Sequence, residues 1–301
     1  MRQIPDFPNT APLNIEHFEL LQPYLLSNRF GISEFSMASL FPFTKKRDYR
    51  VSSYKDAEGS TQYLIIGKQF SGGTQELFAM LPGGFPGRRL FARLSGMVSE
   101  INTIAPQNVS SWNEGIQSLS DGLSVQEDRD NADYIYEKKA LIELTGQVLH
   151  KKMAHVNKFM KEHPERILLP SNVAPKEDML EVLEKWAENR SSVEDLEATK
   201  LAIDYQEKLG LCGSVLYSGD TPIAFTLGEN DENNRFIIHI EKALTQYKGV
   251  YQYINRAFAS ELNESVKEIN REQDLGIPGL RQAKMTYQPS SLLMKYKIRL
   301  D

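Results

Sequence analysis

The chain has 301 residues, a formal net charge of −5 and a hydrophobic fraction of 41%, ordinary values for a globular protein with one large or two medium domains. The acidic balance excludes a global basic field for nucleic acid or anionic lipid. The single cysteine, Cys212, excludes an intramolecular disulfide and is typical of a reducing compartment. We see no signal-peptide core and no apolar run of the roughly 18–20 residues that cross a bilayer. We therefore expect a soluble, cytoplasmic protein, and a peripheral position at the inner membrane face stays open.

The first 135 residues predict a helix, strands, a second helix and then mixed structure. Apolar residues at helical spacing predict an amphipathic helix at 14–30. Strands are expected at Tyr49–Tyr54, Gln62–Lys68 and Gln75–Leu81. The Gly/Pro-rich sequence that follows interrupts the pattern, and a helix is expected at 88–102.

The rest of the chain begins with two helical stretches. The clearest helix is Lys138–His163, which has a continuous apolar stripe. Another runs from Lys176 to Glu207 and is expected to break near a capping-box-like sequence that Ser192 begins. The remaining predicted elements are strands at 211–217, 222–228 and 235–243, a helix at 249–263, a strand at 266–270, a helix at 278–285 and a strand at 292–299.

This order of elements in the second half resembles the GNAT acetyltransferase fold. In that fold the loop after the fourth strand resembles Q/R-x-x-G-x-G/A, and its amides bind a pyrophosphate where free N–H groups and the helix dipole favour an anion. The corresponding cofactor-binding candidates here are Gln246, Lys248, Gly249, Val250 and Tyr251. They match the pattern at its first two fixed positions, but Tyr251 stands where a small residue is usual. A plain strand-to-helix turn stays an alternative, and Tyr251 counts against coenzyme A.

Five sequence blocks resemble the DUF2156 family, which is similar to the soluble C-terminal domain of phosphatidylglycerol lysyltransferases. The blocks are Asp128–Phe159, Ala224–Glu229, His239–Ala243, Lys248–Ala259 and Ile269–Pro289. The resemblance implies an α+β fold of two tandem GNAT-like domains, each a mixed, mainly antiparallel sheet flanked by helices. We expect these domains at 1–134 and 135–301, with the family motifs in the second. The resemblance also implies aminoacyl transfer from aminoacyl-tRNA to an amine or a lipid hydroxyl.

Two ionisable side chains on the predicted strand 235–243 are catalytic candidates. Strand side chains alternate, so the sequence predicts His239 and Glu241 on one face with Ile237. Acyl transfer to an amine or hydroxyl needs a base that removes a proton as the new bond forms. Glu241 and His239 are therefore our candidate bases, and a buried histidine with a structurally paired glutamate is the alternative.

Polar residues after the predicted strand 266–270 are substrate-binding candidates. Asn270, Arg271, Glu272 and Asp274 crowd polar groups at a strand end, a position that often faces a cleft. Arg271 could bind a phosphate or carboxylate through two parallel hydrogen bonds, or it could pair with a neighbouring acid.

Two further basic pairs are candidate ligands for the phosphate of tRNA, a lipid head group or coenzyme A. Arg281 and Lys284 are three residues apart on the predicted helix 278–285 and share one of its faces. Lys151 and His155 share a face of the long helix. Solvated basic faces are the alternative in both cases.

The sequence leaves three functions open. The first is an acyltransferase that moves an aminoacyl group from aminoacyl-tRNA to a lipid or small-molecule acceptor by direct attack, since no G-x-S-x-G or Cys/His arrangement favours a covalent intermediate. The second is a CoA-dependent GNAT N-acyltransferase, and the third is a non-catalytic protein that binds an acylated or phosphorylated ligand. Without a Cys/His cluster we expect no metal site. The donor, the acceptor and the oligomeric state stay open.

Overall fold

The computed structural model contains two seven-stranded sheets with flanking helices, counted over the residues that the structure describes: 3–71, 73–117, 119, 122–188, 195–231 and 233–300. The chain divides into unit 1, Met1–Ala132 with Leu293–Asp301, and unit 2, Asp133–Leu292. Unit 2 therefore ends before the C-terminal limit of the domain expected at 135–301. The α+β architecture is the one that the sequence predicted.

The secondary-structure elements are numbered along the chain. The strands are β1 Ala11–Pro12, β2 Arg50–Lys55, β3 Thr61–Ser71, β4 Thr74–Met80, β5 Glu100–Ile104, β6 Gln126–Glu127, β7 Asp133–Glu137, β8 Arg166–Pro170, β9 Cys212–Ser218, β10 Thr221–Asp231, β11 Arg235–Ala243, β12 Glu268–Asn270, β13 Ser291–Leu293 and β14 Tyr296–Arg299. The helices are α1 Phe18–Ser27, α2 Met37–Leu40, α3 Thr44–Arg47, α4 Arg88–Ser95, α5 Val109–Gln117, α6 Lys138–Glu143, α7 Gly146–Glu162, α8 Lys176–Glu188, α9 Leu196–Asp204, α10 Val250–Glu261 and α11 Pro278–Met285.

The sheet of unit 1 has the strand order β1-β2-β3-β4-β5-β14-β6. Strands β2, β3 and β4 form an antiparallel meander, and β5 is parallel to β4 after a crossover through α4. A parallel pair requires such a crossover, because a hairpin can join only antiparallel strands. Buried apolar residues of the sheet pack with Phe91 and Leu94 of α4 and Trp112 of α5.

The sheet of unit 2 has the order β13-β7-β12-β11-β10-β9-β8. Strands β8 to β11 are antiparallel, and β12 is parallel to β11 after a crossover through α10. Val215 packs in a cluster with residues of α8, whereas its neighbour Leu216 packs with residues of α7 and α10. Because successive strand residues point to opposite faces, α8 covers one face of the sheet and α7 and α10 cover the other.

The prediction of one strand at 292–299, within the domain expected at 135–301, was wrong. The segment forms two strands: β13 joins the sheet of unit 2, whereas β14 pairs with β5 and β6 of unit 1. Between them, the fully buried Lys295 forms an ion pair with Glu34. Ile298 is buried in the core of unit 1. An alternating pattern indicates a strand but not the sheet that receives it.

Two other element predictions differ from the structure. The helix predicted at 138–163 is interrupted between α6 and α7, where Leu144 and Gly146 have φ values of +48° and +87°. The helix predicted at 88–102 stops at Ser95, and β5 follows from Glu100. The capping box predicted from Ser192 lies outside the described residues.

Candidate active site

The parallel ladder between β11 and β12 is short, and ionisable side chains lie beyond it. Three residue pairs form the ladder, the last of which is Ile237 with Asn270. Past this point, side chains connect the two segments: His239 contacts Glu272 and Glu241 contacts Arg271. All four residues were site candidates from the sequence, and the structure brings them together at one end of the strand pair.

A β-bulge separates the two candidate bases. Leu227 of β10 pairs with Ile240 and the next residue, Gly228, pairs with Ile238, so His239 is an extra residue in β11. Ile238 consequently packs in the cluster with Phe258 of α10, whereas Ile240 packs in the cluster with α8. The expectation that unbroken alternation places His239 and Glu241 on one face was therefore wrong.

His239 lies between two carboxylates. Its Nε2 is 2.9 Å from an oxygen of Glu229, and its Nδ1 is 2.7 Å from an oxygen of Glu272. Burial disfavours the imidazolium, but the hydrogen bonds and charges of the two glutamates outweigh burial and raise the pKa of His239 to about 9. At neutral pH both ring nitrogens therefore donate protons, and neither has a lone pair free to accept one.

Glu241 is held by two donors on the α10 face of the sheet. Arg271 donates to one carboxylate oxygen at 3.1 Å, and Asn255 of α10 donates to the other at 3.3 Å. The Arg271 guanidinium also lies over the rings of Tyr287 and Tyr136, at 5.1 and 5.9 Å from their centres. Burial disfavours the charged guanidinium, but the negative charge of Glu241 outweighs burial and raises the pKa of Arg271. The side chain of Glu241 is 10% exposed, against 18% for Arg271 and 24% for Glu272, so all three are partly accessible.

The loop that presents Arg271 and Glu272 is firmly braced. The buried Asn270 donates to Asp133 at 3.0 Å and accepts a hydrogen bond from the Glu272 amide at 2.7 Å. Glu272 has a φ of +57°, in the left-handed region that non-glycine residues seldom adopt. The Glu272 carbonyl accepts hydrogen bonds from the Tyr134 amide and from Lys284. Strain at Glu272 is thus retained by a surrounding network, as is common at binding and catalytic sites.

Asp274 closes this loop. Its fully buried carboxylate accepts hydrogen bonds from Tyr134 Oη at 2.6 Å, from two nitrogens of Arg281 at 2.9 Å and from the Gly276 amide at 2.9 Å. Burial acts against ionisation, but these donors dominate and hold the pKa of Asp274 well below its usual range. Asp274 is a structural anion of the loop in this arrangement.

The two basic residues of α11 are directed at the same loop. Arg281 pairs with Asp274, and Lys284 donates to the carbonyls of Arg271 and Glu272. Burial and the nearby Arg271 charge lower the pKa of Lys284 to about 8. Their placement supports a loop-bracing role, whereas the sequence had suggested phosphate contacts.

Close packing against α7 explains the glycine in the loop before α10. Gly249 has a φ of +90°, and an added Cβ would lie 2.5 Å from the carbonyl oxygen of His155 in α7. Val250 is buried, Gln246 and Lys248 are exposed, and the Tyr251 hydroxyl accepts a hydrogen bond from Trp186 at 3.1 Å. The close approach of α7 is sufficient to require glycine here, without any phosphate.

The basic face of α7 is open to solvent at Lys151 and His155. Lys152, which the sequence did not single out, lies 4.5 Å from the centre of the Tyr287 ring. Burial and the charge of Arg271 lower the pKa of Lys152. One side of α7 therefore borders the Arg271 cluster, and its neighbouring residues remain solvated.

Several residues of the site escaped prediction from the sequence. They are Glu229, Asn255, Asp133, Tyr134, Tyr136 and Tyr287. All six fall inside the five blocks that resemble DUF2156, which was the signal available. Their roles depend on contacts across strands and helices, and no local pattern reveals those.

In the ranges that the structure covers, no group of three or more His, Cys, Asp or Glu side chains is arranged to hold a metal ion. Across the same part of the chain, no helix has the length and apolar character needed to cross a membrane.

Comparison with known proteins places these features in context. Residues 29–299 match the family described as phosphatidylglycerol lysyltransferase, C-terminal. A conserved protein of unknown function from Bacteroides thetaiotaomicron is 25% identical, with a TM-score of 0.78 over 97% of this chain and 99% of that one. The DUF2156 C-terminal domain of a putative lysylphosphatidylglycerol synthetase from Agrobacterium fabrum is 14% identical, with a TM-score of 0.58 over 92% of each chain.

One curated relative also matches. An uncharacterised protein of Mycoplasmoides gallisepticum is 27% identical over 202 residues, which are 62% of this chain. The match spans 61% of the length of that relative.

Proposed function

The chain belongs to the phosphatidylglycerol lysyltransferase C-terminal family, and we propose that it is an acyltransferase that moves an aminoacyl group from aminoacyl-tRNA to a lipid or small-molecule acceptor. The observation that carries the proposal is the partly exposed Glu241, held between Arg271 and Asn255 at the end of the β11–β12 pair. The family supports acyl transfer as the class of reaction. The choice of donor and acceptor is our inference.

Glu241 is the general base of the proposed reaction. An acceptor hydroxyl or amine attacks the ester carbonyl carbon of the donor while Glu241 removes the acceptor proton. The new C–O or C–N bond forms, the ester bond to the ribose oxygen breaks, and Glu241 returns the proton to that oxygen. The hydrogen bonds from Arg271 and Asn255 fix the carboxylate so that its free lone pairs are oriented before the acceptor arrives.

His239 has a positioning role in this mechanism. An imidazolium that donates to both Glu229 and Glu272 cannot take the acceptor proton. It instead holds the Glu272 carboxylate, and the neighbouring Arg271 reaches Glu241. We therefore keep Glu241 as the base and remove His239 from that role.

Coenzyme A has weaker support as the donor carrier. The GNAT-like strand order favours it, but Gly249 is explained by the His155 carbonyl, and Tyr251 is engaged with Trp186. A thermal-shift comparison separates the donors, because a ligand that binds only the folded chain raises its Tm. We expect a shift with a stable aminoacyl-tRNA analogue and a smaller one, or none, with acetyl-CoA.

Transfer itself is tested with radiolabelled aminoacyl-tRNAs and two acceptor pools, extracted lipids and small amines. We expect one acceptor pool to become labelled, and we expect this labelling to require Glu241. If acetyl-CoA alone supports transfer, the CoA-dependent alternative replaces it. If the chain binds a donor analogue and no acceptor is ever labelled, a binding function replaces it.

A further inference from the structure

A buried hydroxyl lies next to the candidate base. Thr226 of β10 is the direct register partner of Glu241, so both side chains point to the α10 face and their Cβ atoms lie about 5 Å apart. Thr226 is fully buried, and its Oγ1 forms no hydrogen bond within the described part of the chain. A buried hydroxyl without a partner lowers stability, so its presence beside Glu241 indicates a role in binding a ligand.

The amide of Asn255 is the second polar group here with an unused atom. Its Nδ2 donates to Glu241 at 3.3 Å, whereas its Oδ1 accepts no hydrogen bond from any residue that the structure describes. The side chain is 1% exposed. Because the carboxylate of Glu241 needs the Nδ2 donor, Oδ1 is the end of the amide that is left to accept.

The neighbouring position shows that α10 can satisfy a hydroxyl on this face. Ser214 of β9 pairs with Thr226 in register and is 2% exposed. Its Oγ donates to Glu261 of α10 at 3.0 Å. Helix α10 thus supplies a partner to Ser214 and to Glu241, but among the described residues it supplies none to the Thr226 hydroxyl between them.

These oxygens suit an occupant that donates more than one hydrogen bond. A neutral primary amine has two N–H groups and one lone pair, whereas a hydroxyl has a single O–H. One N–H can reach Glu241, the other can reach Asn255 Oδ1 or Thr226 Oγ1, and the lone pair stays free to attack a carbonyl carbon. A hydroxyl that donates to Glu241 would leave Asn255 Oδ1 unpaired.

The charges around Glu241 favour the neutral form of an amine over its ammonium form. Arg271 neutralises Glu241 through their ion pair. Lys152 and Arg271 lie 4.5 and 5.1 Å from the centre of the Tyr287 ring, so a second positive charge is close by. These two cations would repel an ammonium ion. The form that can act as a nucleophile is therefore also the form that the site favours.

We propose that the acceptor is a primary amine whose nitrogen binds Glu241, Asn255 Oδ1 and Thr226 Oγ1. The inference rests on the proposed function and names its acceptor class. The ammonium proton is released to solvent, and the side chains separate at the partly exposed Glu241 to admit the neutral amine. As the C–N bond forms and the ester C–O bond breaks, Glu241 takes one N–H proton and returns it to the ribose oxygen. The product is an amide.

Two substitutions at Thr226 separate amine binding from packing. Thr226→Val keeps the shape and removes the hydroxyl, so we expect an unchanged or higher Tm, because no hydrogen bond of the free chain is lost. Thr226→Ser keeps the hydroxyl and removes a buried methyl group, so we expect a Tm lower by on the order of 2 °C. Thr221→Val, at the exposed start of the same strand, is the matched control.

Amine binding is measured without any donor, by saturation-transfer NMR of the full chain with ethanolamine and with ethylene glycol. The two probes differ only in one amine against one hydroxyl, and at about pH 8.5 a fraction of the amine is neutral. We expect a signal from ethanolamine that exceeds the signal from ethylene glycol. It should fall roughly five-fold in Thr226→Val and persist in Thr226→Ser and Thr221→Val.

Transfer assays then identify the source of the amine. With radiolabelled aminoacyl-tRNA, label in ethanolamine assigns a small-molecule acceptor, and label in phosphatidylethanolamine held in detergent micelles assigns the same amine on a lipid. Either result supports the amine subsite if the labelling falls in Thr226→Val and ethylene glycol stays unlabelled.

Three results overturn the inference. The first is a Tm lower by about 2 °C or more in Thr226→Val, which would give Oγ1 a partner such as a structural water. The others are equal signals from the two probes, and an ethanolamine signal that Thr226→Val leaves unchanged. Ethanolamine binding without any transfer keeps the amine subsite and ends the proposed function. Transfer to a hydroxyl without transfer to an amine does the reverse.

Discussion

Each unit contains a parallel strand pair beside an antiparallel meander. The residues that follow the paired segments differ between the two units. In unit 1 the β4–β5 ladder includes Phe78 with Glu100 and Ala79 with Ile101. Beyond it, Leu81, Ile104 and Ala105 are at most 4% exposed. At the same place in unit 2, ionisable side chains bridge β11 to the loop after β12.

This difference indicates that the residues at the end of the strand pair serve packing in unit 1 and chemistry in unit 2. Apolar residues at the end of the unit 1 pair are part of its core and gain stability by leaving water. Buried charges at the end of the unit 2 pair gain less, since desolvation offsets much of their attraction. A charged cluster on such a framework therefore favours a functional role for unit 2, because stability alone would favour apolar packing.

The largest expected effect tests where the chemistry lies. Glu241→Gln should lower kcat for aminoacyl transfer on the order of 10²–10⁴-fold, the usual contribution of a general base, and should also lower Tm, because Arg271 loses its charged partner. The matched control is Glu76→Gln in unit 1, which also removes the charge of an arginine-paired glutamate. Steady-state kinetics of both variants provide the measurement. An equal loss of kcat in the two variants would contradict the assignment of the chemistry to unit 2.

The next effect concerns stability. Asp274→Ala leaves the buried Tyr134 hydroxyl and the Arg281 guanidinium without their shared acceptor, and we expect a loss of about 3 kcal/mol in the free energy of unfolding. Urea denaturation measures it. The control Asp204→Ala breaks an exposed pair with Lys176 and should cost less than about 1 kcal/mol. Similar costs for the two changes would contradict the account of a braced loop.

A pH effect should follow from His239. Its folded pKa of about 9 lies above the ordinary value of 6.5, so its stabilisation is complete below pH 6.5 and is lost as pH rises through 9. The pKa difference corresponds to an upper limit between about 3 and 4 kcal/mol. Because Lys284 titrates nearby with an opposite trend, the measured quantity is the wild-type stability minus that of His239→Gln at pH 6.5, 8 and 9.5. A difference that does not shrink with rising pH would show that the imidazolium is not clamped.

The smallest expected effect separates packing from anion binding at the start of α10. Gly249→Ala places a methyl group against the His155 carbonyl at a positive φ and should cost roughly 1–2 kcal/mol. Gly279→Ala, with open space around the added carbon, should be neutral or slightly stabilising. If Gly249→Ala instead keeps its stability and loses donor affinity, the loop is a phosphate site and the packing account fails.

The sequence predicted much of this framework and missed the contacts that organise it. The bounds of β11 and α11 agree with the predicted elements, since an apolar strand pattern and a proline at a helix start are local signals. The bulge at His239 depends on pairing with β10, which no local pattern specifies. Glu229 and Asn255 reach the site from other elements. Prediction therefore succeeded where the signal was local and failed where a partner in another element determined the result.

Hydrogen–deuterium exchange with a stable aminoacyl-adenosine amide tests the central claim most directly, because it shows which unit receives the donor. The account predicts slower exchange in unit 2 at residues 238–243 and 270–276, with no change in unit 1 at 80–82 and 102–105. Protection confined to unit 1, or none in either unit at saturating analogue, would contradict it.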